Sequence, residues 1–306
     1  MFGKRAVVDM IDRSAENPTD RRRFLKAAGL AGLGTVGASA LTGLDTAAAA
    51  AAAPSDAAVL NFALNLEYLE AEFYLNAVFG RGLDASMTTG KGDRGPVVGG
   101  RQVNFSSRTI RQYAREIAHD EMHHVRFLRN QLGSAKVSRP KIDIKNSFTA
   151  AAQAAGLIGP NQTFDPYANE NNFLLAAYIF EDVGVTAYKG AAPLIQNKTF
   201  LEAAAGILAV EAYHAATIRT SLYEKDLQGP ARKISNARDS LDGSSERDQG
   251  IGSMKRANIV PTNANGIARS RSAEWVLNVV YLTDKKARRG GFFPQGVNGP
   301  INTSHG

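Results

Sequence analysis

Glu121-Met122-His123-His124 and Glu211-Ala212-Tyr213-His214 are the two stretches that decide the fold. Each sets a Glu and a His three residues apart, close to one helical turn, so both side chains leave the same face. The chain holds five His, and three of them follow a Glu at this spacing. Helical phase sorts the three. The apolar stripe Ile110, Ala114, Ile117, Leu128 passes through Glu121 and His124. The stripe Leu201, Ala204, Leu208, Ala215, Ile218, Leu222 passes through Glu211, with His214 beside it. Glu116 and His119 instead join a face made of Arg108, Arg111, Arg115, Met122, Arg126 and Arg129, and read as solvated. A buried carboxylate costs several kcal/mol unless it is paired or binds metal. Two such pairs on facing helices predict a metal centre in the core of a helical bundle.

Two further helices supply lone carboxylates by the same test. Leu60, Leu64, Glu67, Ala71, Tyr74 and Val78 form one stripe; Leu174, Tyr178, Glu181, Val185 and Tyr188 form the other. Glu67 is followed seven residues later by Tyr74, and Glu181 by Tyr188. Each such helix precedes a Glu-x-x-His helix, so the chain reads as two related helical hairpins. Glu70 is the alternative ligand on the first helix, because Ala63, Leu66, Glu70, Phe73 and Ala77 also align. Glu72 falls with Asn61, Asn65, Tyr68 and Asn76 on what reads as a polar face. The six expected ligands are Glu67, Glu121, His124, Glu181, Glu211 and His214. Asp120, about 100° around the helix from Glu121, is expected to support a ligating His from outside, His214 before His124. Tyr74, Tyr178 and Tyr188 are expected near the metals. No catalytic residue is assigned.

Residues 1–53 read as an export signal rather than as part of the fold. Asp20-Arg21-Arg22-Arg23-Phe24-Leu25-Lys26 resembles the twin-arginine motif. A mild Ala/Gly-rich run and an Ala-x-Ala-like stretch follow it, which suits cleavage near Ala48–Pro54. The run is too rich in Gly, Ser and Thr for a stable membrane span. Its removal takes away seven Lys/Arg and five Asp/Glu and leaves about +5 of the chain's net charge of +7. That balance names no partner. The Arg run belongs to the signal and the Arg face of the second helix to solvent, so no nucleic-acid partner is expected. No Cys is present, which excludes disulfides and thiolate metal ligands within these residues.

Ser55, Ser106 or Ser107, Asn169 and Asn197 are the expected caps of four long helices ending near Gly80, Gly133, Lys189 and Lys225. The bundle spans 54–226, with a Gly-rich loop at 80–104 and one long crossover carrying a short helix near 147–155. Residues 227–306 read as a loop-rich extension packed on the bundle. In it Leu227–Asn265 is expected to be loop, Ser272–Leu282 a short helix, and the Gly290-Gly291-Phe292-Phe293-Pro294 segment docked rather than free.

Leu64-Asn65-Leu66-Glu67-Tyr68-Leu69-Glu70-Ala71, Phe180-Glu181-Asp182-Val183-Gly184-Val185-Thr186-Ala187-Tyr188 and the Gly-Gly-Phe-Phe-Pro segment resemble the ferritin-like proteins related to desiccation-related proteins. The resemblance implies an all-α, ferritin-like four-helix bundle with one long crossover, often exported and associated with stress. Bacterioferritins and rubrerythrins share the Glu and Glu-x-x-His layout. Carried across by position, Glu67 and His124 would hold one ion, Glu181 and His214 the other, and Glu121 and Glu211 would bridge. The long first loop and the extension depart from ferritins and from iron storage in a cage. Carboxylate and imidazole ligands suit a pair of Fe or Mn ions, and would bind Zn without redox chemistry. Two functions follow: a dinuclear enzyme using a small oxidant, oxygen or peroxide, or a non-catalytic protective protein on a metal-stabilised bundle. The sequence leaves the oligomer open.

Overall fold

The computed structural model describes residues 53–306. The twin-arginine signal and the membrane and cleavage readings made for it lie outside the described residues. Among those described, no helix is long and apolar enough to cross a membrane.

Four long helices build the bundle. Helix α1 spans Asp56–Phe79 and α2 spans Arg108–Leu132. A crossover carrying the short α3 (Asn146–Ala154) leads to α4 (Glu170–Ala191) and α5 (Lys198–Glu224). Their starts are set by local chemistry. The side chains of Ser55, Ser107, Asn169 and Asn197 each accept a hydrogen bond from a backbone N–H of the first turn, satisfying groups the helix leaves unpaired. Gly80, at φ 69°, closes α1 in the left-handed conformation that glycine adopts without strain. Helix α1 packs along α2, and α4 along α5, giving the two hairpins. The crossover is also tied to the first loop, where β1 (Val97–Val98) pairs in parallel with β2 (Ile142–Asp143).

The face of α1 that reads as polar is buried, with Asn61, Asn65, Tyr68, Glu72 and Asn76 all in the interior. Its groups bond loop backbone instead. Asn61 donates to Ala135 O (3.0 Å) and accepts from Val137 N (2.9 Å). Asn65 exchanges hydrogen bonds with the Asn298 backbone (2.9 and 3.0 Å). Glu72 pairs with Arg139 at 2.5 Å. Arg129 is likewise buried rather than solvated, donating to Tyr68 Oη and Thr89 O, both at 2.6 Å. Polar residues thus do for the long loop and crossover what a neighbouring strand would do.

Residues 227–265 hold a helix, α6 (Gln228–Leu241), where a loop was expected. Ala231, Ile234, Ser235 and Arg238 recur at helical spacing and are buried, with α6 packed against α4. Pro230 sits in the first turn, where its missing N–H costs nothing. The buried Arg238 is what makes the stripe look polar. A final helix, α7 (Ala273–Tyr281), also packs on α4. Phe292 is fully buried, its ring centroid 4.8 Å from that of Phe180 and 5.1 Å from that of Phe148.

Three buried arginines anchor the extension. Arg219 donates to Asp182 at 2.7 Å, and Arg238 to Asp182 and Asp248 at 2.8 Å. Arg271 donates to Asp242 (2.6 Å), to Thr186 Oγ1 (2.7 Å) and to Asp248. The three guanidinium charges face three carboxylates, and Arg247 adds a fourth guanidinium 3.6 Å from Asp242.

Candidate metal centre

Four helices bring their acids to one place in the core. Glu67 comes from α1, Glu121 and His124 from α2, Glu181 from α4, Glu211 and His214 from α5. All four carboxylates are fully buried and both imidazoles nearly so. Two donor groups form, each with ligand atoms within 4.8 Å of one another: Glu67, Glu121, His124 and Glu211, and Glu121, Glu181 and His214. Glu121 belongs to both, as a bridging carboxylate would. Glu211 belongs to the first group alone. Glu116 is exposed, and His119 stacks on Phe79 at the bundle surface.

The atoms facing inward are short of partners. His214 Nδ1 lies 3.0 Å from Glu121 Oε1 and 3.7 Å from Glu181 Oε2. His124 Nδ1 lies 3.2 Å from Glu67 Oε2, 3.4 Å from Glu121 Oε2 and 3.6 Å from Glu211 Oε1. Yet both carboxylate oxygens of Glu121 and of Glu211, Glu181 Oε2 and His214 Nδ1 have no hydrogen-bond partner. Buried polar atoms are rarely left so. The donor set, carboxylate and imidazole, therefore fits divalent metal ions.

Electrostatics of the metal-free centre point the same way. Burial pushes Glu70 and Glu211 well above the usual carboxylate range, Glu67 to about 7 and Glu181 to about 8. Burial would raise Glu121 too, but His124 and His214 on either side hold it below its ordinary value. The imidazoles are pulled down by burial, yet the acids around them win. His124 is raised to about 11 by Glu67 and Glu121, and His214 to about 10 by Asp120, Glu121 and Glu181.

The outer contacts hold the donors in place. Tyr74 on α1 donates to Glu181 Oε1 on α4, and Tyr188 on α4 donates to Glu67 Oε1 on α1. The exchange sets Tyr74 level with Glu181 and Tyr188 level with Glu67, so α1 and α4 run antiparallel with the centre between those levels. Tyr178 is not brought to the centre. It lies one turn beyond Glu181, on the side away from Glu67, and its hydroxyl donates to Gln249 O (3.1 Å) and accepts from Arg219 (3.2 Å). His214 Nε2 lies 3.1 Å from Asp120 Oδ2, which leaves Nδ1 as the atom turned to the acids. Asp120→Asn is expected to preserve the fold and weaken metal binding roughly 10- to 100-fold, read by competition with a chelator. Unchanged affinity would reduce Asp120 to a surface acid.

Glu70 is buried among the same acids but stands outside both donor groups. Gly184 is a residue that periodicity alone passes over. It sits inside α4, where glycine costs about 1 kcal/mol relative to alanine. A Cβ there would overlap the Glu211 carboxylate. Its signal in the sequence is a glycine three residues after Glu181, in the middle of an otherwise apolar helix.

The model of the Ferritin-like domain matches residues 55–224. The chain is also similar to Desiccation-related protein PCC13-62 of Craterostigma plantagineum, at 33% identity over 266 residues covering 80% of this chain and 83% of that protein. It is similar to Ferritin-like catalase Nec2 of Nesocodon mauritianus, at 30% identity over 269 residues covering 81% and 85%. The matched residues are those that build the two hairpins, and the chain belongs to the ferritin-like domain family.

Proposed function

We propose that this protein is an exported carboxylate-bridged protein holding two Fe or Mn ions and consuming peroxide or oxygen as a stress-protective function. The observation that carries the reading is the two groups of buried donor atoms that four helices bring together, several of them without hydrogen-bond partners. A similar protein bears the name ferritin-like catalase, which supports peroxide as the oxidant. A redox-active ion pair would supply and accept the electrons. The chain's own residues do the rest. Tyr188 and Tyr74 hold Glu67 and Glu181 by one oxygen each, leaving the other oxygen for an ion. Asp120 keeps the proton of His214 on Nε2. The aromatic and aliphatic core around the acids excludes bulk water, so charge at the centre is felt at low dielectric.

Metal-loaded protein is expected to deplete hydrogen peroxide at least about 100-fold faster than the same protein stripped of metal, a loss of roughly 3 kcal/mol of barrier lowering. Equal rates at full Mn or Fe occupancy would favour the protective, non-catalytic reading, to which the desiccation-related relative lends its name. Export rests on Arg21-Arg22 and the run after it. Changing both to Lys should leave full-length precursor in the cytoplasm, and normal export of that variant would overturn the route.

A further inference from the structure

The two hairpins are related by a repeat that places Glu67 with Glu181 and Tyr74 with Tyr188. The same alignment pairs position 70 with position 184. One half carries a carboxylate there, and the other carries a glycine. The structure shows that these two positions meet. A Cβ built on Gly184 would overlap Glu211 Oε2 and would lie 3.6 Å from Glu70 Oε1. The space over Gly184 is thus taken up by two carboxylates, one from α5 and one from α1. The donor groups are unequal in the same sense. The group that contains Glu211 has four members, and the group around His214 has three.

We propose, resting on the two-ion reading above, that the Glu70–Gly184 pair makes the two ion positions inequivalent. Gly184 leaves room for Glu211 to face the Glu67–His124 position and for Glu70 to stand behind it. That position is therefore richer in carboxylate charge than the Glu181–His214 position and holds its ion more tightly, because carboxylate count tunes divalent-cation affinity. Glu70 acts on the ion through Glu211, so it is a positioning residue. A symmetric pair of acids at 70 and 184 would not fit the shared space.

The test is titration of the metal-free full chain with Mn2+ against a chelator, followed by calorimetry and by the melting temperature of the metal-free form. The parent should take two ions in steps at least about tenfold apart in affinity. Glu70→Gln should weaken the tighter step and leave the weaker one, bringing the two within about threefold of each other. Gly184→Ala should release one of the two ions while the metal-free protein melts no lower than the parent, since alanine suits a helix better. Combining it with Glu211→Asp, one methylene shorter, should restore the second ion. A parent that takes no metal would defeat the two-ion reading itself. A parent with two equal steps, a Glu70→Gln profile identical to the parent's, or two ions retained at parental affinity by Gly184→Ala would each overturn the inequivalence.

Discussion

Alanine at both Glu121 and Glu211 is expected to leave the purified protein without bound metal, where the parent is expected to carry about two Fe or Mn ions per chain. Glu121 contributes to both donor groups, so its loss removes an oxygen ligand from each position. Glu211 contributes to the larger group, which is then left with Glu67 and His124. The metal-free forms should also differ in stability. Glu211 is fully buried and neither of its oxygens has a hydrogen-bond partner, so its removal lifts a penalty, whereas loss of Glu121 takes away the carboxylate that lies between His124 and His214. Elemental analysis and thermal melts in chelator read the two effects separately. Stoichiometric metal in the double variant would remove the assignment of these residues as ligands.

Arg271→Ala is expected to destabilise the protein by about 3–5 kcal/mol. Arg271 is fully buried and its guanidinium serves Asp242, Asp248 and Thr186 at once. Its backbone N–H also donates to Thr186 O at 2.9 Å, and Gly190 of α4 lets that backbone approach where a Cβ would collide with it. Truncation would leave Asp242 with Arg247 at 3.6 Å and Asp248 with Arg238 alone, and open a cavity the size of an arginine. A lower urea midpoint and faster proteolysis between Asp242 and Arg271 are the expected readouts. A loss under about 1 kcal/mol would mean that the three-Arg, three-Asp cluster is dispensable for anchoring the extension.

What could be read from residue order, and what could not, follows from the kind of signal each feature leaves. Ser55, Ser107, Asn169 and Asn197 announce helix starts because capping is local chemistry. The positions of Glu67, Glu121, Glu181 and Glu211 on apolar stripes are legible because an acid in a buried phase is anomalous wherever it occurs. Burial of Asn61, Asn65 and Glu72 leaves no such mark. Their partners are backbone groups of Val137 and Asn298 and the guanidinium of Arg139, all distant in sequence. Periodicity reports which face is apolar but not which polar face has found a partner. Helix α6 is hidden for the same reason, since its buried stripe includes Arg238 and Ser235. Tyr178 shows a different limit: sharing a stripe with Glu181 fixes the face, while the direction along the helix decides which end it serves. Gly184 is legible only as an absence of side chain, and the two carboxylates that use that space come from other helices.

The crossed hydroxyls of Tyr74 and Tyr188 bear on how the molecule comes together. Each satisfies one oxygen of a carboxylate on the opposite hairpin, so neither hairpin alone supplies the partner of that oxygen. A chain that docks its halves one turn out of step leaves two buried acids and two buried phenols unmatched at once. That error is far more costly than the slippage of two apolar surfaces, which lose only part of their contact. The pair of phenols thus ties the register of the two halves to the satisfaction of two buried acids.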